Sequence, residues 1–115
     1  MKRLIALLAA VAIVAAAAVA VPAFAATKTV KVGPQTSFGP KSLSIKSGDT
    51  VRFRWTGSLA HNVVITKGPN IRKNKTIAGV RTRGTVSKRF NTKGTYTVVC
   101  SIHQPDMRMK LRVTR

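Results

Sequence analysis

The chain has 115 residues, with 21 Lys and Arg against two acids and a formal net charge of +19. That length predicts a single domain, and the one cysteine rules out an internal disulfide. The only acids are Asp49 and Asp106, so little is present to orient a catalytic base, and an enzyme is not expected.

The first element is a leader. Lys2 and Arg3 precede an unbroken apolar run from Leu4 to Val21, followed by Pro22-Ala23-Phe24-Ala25-Ala26. A basic head, an apolar stretch and an A-x-A site predict a secretory signal peptide helix over residues 1–25, cut between Ala25 and Ala26. The alternative is an uncleaved anchor: the run of about 18 residues is at the lower limit for a spanning helix. No cysteine lies near the cut to carry a lipid. The mature chain, residues 26–115, would keep 19 basic residues and both acids, a net charge of +17. Nucleic acid is the usual partner for such a balance. Export argues against it, and so does the scatter of Lys and Arg along the whole chain, often alternating with apolar residues as on solvated strand faces.

Strands follow in order. Val30 and Val32 alternate with Thr29 and Lys31, and Leu43-Ser44-Ile45-Lys46 alternates again. Ser47-Gly48-Asp49 is a turn signal. In Val51-Arg52-Phe53-Arg54-Trp55 the apolar residues face inward, until Thr56-Gly57-Ser58 breaks the pattern. His61, Val63 and Ile65 share one face, with Asn62 and Val64 opposite. Residues 68–84 have few apolar anchors and are read as a long loop, a weak strand or a short helix. A basic strand runs from Thr85 to Phe90, and Asn91-Thr92-Lys93-Gly94 turns the chain. Tyr96, Val98 and Cys100 then share a face, and Met107, Met109, Leu111 and Val113 close the chain in phase. Period-two patterning with turns at regular spacing predicts a β-sandwich. Gly94-Thr95-Tyr96 resembles the tyrosine corner of Greek-key sandwiches; a plain core tyrosine is the alternative.

The chemistry gathers around Cys100. His103 and Met107 follow it across a loop that can fold them back toward the same point. Thiolate, imidazole and thioether together suit copper, and two His, one Cys and a weak axial Met make the blue-copper arrangement. That requires a second histidine, and the chain has one more, His61, at the start of an inward-facing strand. Each residue alone has an ordinary explanation: a satisfied core histidine, a small buried thiol, a methionine filling the core. Zinc would fit the same donors, but the affinity order favours Cu(II). A binuclear copper centre would need a second cysteine.

"FGPKSLSIKSGDTVRFRWTGSLAHNVVI", residues 38–65, and "FNTKGTYTVVCSIHQPDMRMKLRV", residues 90–113, resemble the two halves of a cupredoxin, the small type 1 blue-copper family. The resemblance spans most of the mature chain except its middle. It implies an all-β Greek-key sandwich over residues 26–115. It also implies one copper ion held by His61, Cys100 and His103 with Met107 as axial ligand, and Asn62 tying the two ligand loops together. Met109 is the rival axial residue. Glycine often occupies its position in the family, so a bulky side chain there is a departure.

The implied function is one-electron transfer by an exported monomer, in the periplasm, cell envelope or outside the cell. His103 would be the port, ringed by Ala60, Ile102, Pro105 and Phe38. The positive charge would steer in a redox partner with an acidic docking surface, or hold the protein on an anionic envelope. The alternatives are copper buffering or delivery, and a metal-free sandwich used for adhesion.

Overall fold

The computed structural model describes residues 24–115, so the expected signal helix lies almost wholly outside the described residues. Among these, nine strands follow in order: β1 (Thr27–Val32), β2 (Phe38–Gly39), β3 (Ser42–Lys46), β4 (Thr50–Trp55), β5 (His61–Lys67), β6 (Lys75–Arg81), β7 (Thr85–Arg89), β8 (Gly94–Val99) and β9 (Arg108–Thr114). Alternation creates them. In β4 Val51, Phe53 and Trp55 are buried while Arg52 and Arg54 face solvent, and β9 buries Met109, Leu111 and Val113 against exposed Arg108, Lys110 and Arg112. Each large apolar side chain so buried contributes roughly 1.5–3 kcal/mol. That inward face is covered here by a second sheet.

The two sheets run β2-β1-β4-β7 and β3-β9-β8-β5-β6. The β1–β4 and β3–β9 pairs are parallel, and the other pairs are antiparallel. The chain leaves the first sheet after β2 to place β3 in the second, then returns for β4. Such crossings make the expected Greek-key sandwich. Phe53 and Trp55 from one sheet and Ile65, Val98 and Leu111 from the other lie in a single core.

The tyrosine corner is present. The Tyr96 hydroxyl donates to the Thr92 carbonyl at 2.8 Å, and the Phe90 ring packs edge-on against Tyr96 at 5.2 Å between centroids. Burial pushes the Tyr96 phenol above its usual range, and the Thr92 bond pulls the other way.

The structure settles one open reading and changes two expectations. The obscure middle is a loop followed by strand β6, which pairs antiparallel with β5 at the sheet edge. Ala78 is its one buried residue, which explains its faint pattern. In β5 the whole run His61–Ile65 is buried, and register shifts between His61, Val63 and Val64 break the simple alternation expected there. Phe38 is 1 % exposed, packed in the core from the two-residue strand β2, and so cannot belong to a surface ring around His103.

Candidate metal centre

Two connections meet at one pole of the sandwich. One links β4 to β5 and delivers His61; the other links β8 to β9 and contains Cys100, a 3-10 turn at Ser101–His103, and Met107. Trp55, the last residue of β4, fixes the first connection by donating its indole N–H to the His61 carbonyl at 3.0 Å. The second is closed by its own backbone. The His103 N–H bonds the Cys100 carbonyl at 3.1 Å, the Met107 N–H bonds the His103 carbonyl at 3.1 Å, and the Cys100 N–H bonds the Met107 carbonyl at 3.0 Å.

Asn62 fastens the two connections to each other. Its side-chain oxygen accepts the Ser101 N–H at 2.8 Å, and its amide donates to Ser101 Oγ at 2.8 Å. The tie expected of Asn62 is present, and Ser101 is the partner that sequence reading missed. A serine directly after the cysteine was the available clue.

The donor atoms converge. Cys100 Sγ lies 3.3 Å from His103 Nδ1 and 3.8 Å from His61 Nδ1, and the two Nδ1 atoms are 3.2 Å apart. One first-row ion bound by two nitrogens and a sulfur in a trigonal plane would hold its donors roughly 3.5 Å apart. The three atoms therefore fit one ion with little adjustment. Cys100 and His61 are fully buried and His103 is half-buried. Met107 is also fully buried, and its backbone bonds to Cys100 and His103 make it part of the ligand loop. Met109 sits one step farther on, inside β9 and paired with Val98.

Desolvation holds the His61 imidazole below its usual pKa range, the neighbouring His103 adds to this, and the Gln35 backbone carbonyl opposes it. The neutral ring is the ligating form. His61 Nε2 is buried without a hydrogen bond of normal geometry. Gly33, at φ +104°, lines this side of the ring: a Cβ there would lie 2.6 Å from the Thr56 carbonyl and 3.5 Å from His61 Nε2. A side chain at position 33 would clash with the Thr56 carbonyl, so the chain beside the His61 ring keeps a glycine there.

The profile of a family described as copper binding proteins, plastocyanin/azurin family, matches residues 25–114. The chain belongs to that family. As a cupredoxin it takes copper as its cofactor and is an electron carrier, not an enzyme. It is 34% identical over 89 residues to amicyanin-alpha of Methylorubrum extorquens, covering 77% of this chain and 73% of the relative. It is 33% identical over 90 residues to plastocyanin of Prochlorothrix hollandica, covering 72% and 69%. Among solved structures, a Cu(I) form of an amicyanin mutant superposes with a TM-score of 0.66 at 25% identity, covering 76% of this chain and 81% of the other. A reduced amicyanin mutant gives 0.64 at 28% identity, covering 85% and 88%. Buried His61 and Cys100 with half-buried His103 form the one group of potential metal-holding side chains found among the described residues.

Proposed function

We propose that His61, Cys100, His103 and Met107 hold one copper ion and that the chain is an exported carrier of single electrons between redox proteins. The observation that carries this is the convergence of Cys100 Sγ and both Nδ1 atoms at a buried pole of a rigid sandwich. Bound there, copper would supply a Cu(II)/Cu(I) couple. The protein contributes the rest. Asn62, Ser101 and the three backbone bonds of the ligand loop hold the donors in one arrangement. A cage that changes little between oxidation states keeps the reorganisation barrier low. Burial of Cys100 and His61 keeps bulk water from the sulfur and the inner ring.

His103 is the port in this reading, since it alone of the three is not fully buried. Ile102, 51 % exposed, and Leu59, 41 % exposed, flank the two ligand connections with exposed Pro105 and half-buried Ala60. An apolar surface of this kind lets a partner approach the ring closely without paying to strip bound water. The charge of +17 on residues 26–115 favours partners with acidic docking surfaces. The same charge would favour an anionic cell envelope. The leader-like N-terminus supports export to the periplasm, envelope or exterior, and the protein is read as a monomer.

The test is a visible spectrum of the protein titrated with Cu(II), beside Cys100→Ser. An intense blue sulfur-to-copper band at one equivalent, absent in the variant, supports the site. Repeated oxidation and reduction without copper loss then supports electron transfer. A pale complex, or ready transfer of the metal to an acceptor, would instead support copper handling.

A further inference from the structure

Asp49 is one of two acids in a chain with 21 cations, yet its carboxylate is bonded by main-chain N–H groups. Lys46 N–H donates to Oδ2 at 2.9 Å, and Ala26 N–H donates to Oδ1 at 2.8 Å. The side chain is 6 % exposed and the residue is locked in its turn, for the Asp49 N–H bonds the Lys46 carbonyl and the Phe90 N–H bonds the Asp49 carbonyl, each at 2.9 Å. Ala26 is also where ordered pairing starts. Its carbonyl accepts the Thr50 N–H at 2.9 Å, and β1 begins at the next residue. Just before it, Ala25 is exposed and Phe24 is 85 % exposed, so the Ala25–Ala26 bond is open to a peptidase.

We propose that cleavage after Ala25 completes the fold, because the new Ala26 α-ammonium forms an ion pair with Asp49. This rests on the export reading above. Hydrolysis breaks the Ala25–Ala26 C–N bond: the water oxygen goes to the Ala25 carbonyl carbon, and both water protons end on the Ala26 nitrogen, leaving a carboxylate on Ala25 and an ammonium on Ala26. The nitrogen already lies 2.8 Å from Oδ1, so a neutral amide donor becomes a cationic one without a change of partner. The amide-to-carboxylate bond is already charge-assisted through its acceptor; the ammonium adds direct attraction between opposite charges. The pair would tie the start of β1 to the β3–β4 turn. It lies at the far end of β4 from Trp55 and the metal pole, so its gain or loss leaves the copper centre untouched.

Charged groups near this end include Lys28 on β1, Lys46 on β3, Arg89 on β7, whose Nε donates to the Gly48 carbonyl at 3.1 Å, and Arg115, which follows the Thr114 carbonyl bonded by the Ser47 N–H. Lysine and arginine keep their charge to about pH 10 and above, whereas an α-amine ordinarily titrates near pH 8. The ion pair raises the amine's pKa in the folded state. Its contribution is full below the unfolded value and is lost as pH rises through the folded one.

The test exports the full chain with its own leader and measures the intact mass of the purified product. Melting is then followed from pH 6 to 10 for that product, for Asp49→Asn, and for a chain with one alanine inserted between Ala25 and Ala26. The expected mass is that of residues 26–115. Natural mature protein should melt above the insertion variant at pH 6–7, by up to about 4 °C, with the gap closing in alkali. Asp49→Asn should lack the alkaline fall, and all three should keep the same copper spectrum. A different mature terminus would overturn the processing step and with it the pair. The right mass with coincident melting profiles for natural and inserted chains would overturn the pair alone and leave export standing.

Discussion

Asn62 and Ser101, 39 residues apart in sequence, are joined by two hydrogen bonds of 2.8 Å, one in each direction. Asn62→Ala removes both and leaves the Ser101 N–H without its partner, at a cost of about 1–3 kcal/mol. The expected outcome is a lower melting temperature and faster copper loss to a chelator, with both histidines still present. Ser101→Ala removes one bond and should have the smaller effect. Equal copper off-rates in Asn62→Ala and the natural protein would show that the tie does not hold the ligands.

Met107 and Met109 are both buried, but only Met107 is hydrogen-bonded through its backbone to Cys100 and His103. On the proposed assignment, Met107→Leu removes a sulfur donor that would help stabilise Cu(II). The reduction potential should rise while the blue band persists. Met109→Leu is a volume-conserving core change costing under about 1.5 kcal/mol, and should leave the potential where it was. Protein voltammetry on both variants decides between them, and a shift with Met109→Leu alone would reverse the assignment.

Tyr96→Phe keeps the ring against Phe90 and deletes the bond to Thr92. A lost hydrogen bond of this kind costs about 1 kcal/mol, or a fall of roughly 4–8 °C in melting temperature for a domain this size. The copper spectrum should not change, because the corner sits at the start of β8 whereas Cys100 follows its end.

Docking should respond to salt. The Debye length shrinks from about 30 Å at 0.01 M to about 8 Å at 0.15 M, so electron exchange with an acidic redox protein should slow steeply across that range. Stopped-flow rates that ignore ionic strength would remove charge steering and leave envelope retention as the use of the +17.

The legible parts of this molecule were those where one strand shows its burial directly. Val51, Phe53 and Trp55 mark the inner face of β4, and Met109, Leu111 and Val113 mark β9, because these strands have one face in the core and one in water. The ligand candidates were legible because Cys, His and Met are scarce here and their chemistry is distinctive. Strand β6 was not, since an edge strand with only Ala78 buried needs few apolar residues. Phe38 was misplaced because a two-residue strand has no period to read. Gly33 escaped notice because its role is to leave room for the Thr56 carbonyl beside His61, and an absent side chain gives no local signal.

The edges of the two sheets carry a further meaning for the basic residues. Lys75 and Arg81 lie on edge strand β6, Lys88 and Arg89 on edge strand β7, and Lys46 on edge strand β3. An open edge is a template for the next molecule's strand, and cations along it make that pairing repulsive. The charge proposed to draw an acidic partner would also work against copies of this protein adding to one another's sheets. Neutralising those edges to weaken docking would therefore give a protein prone to self-association.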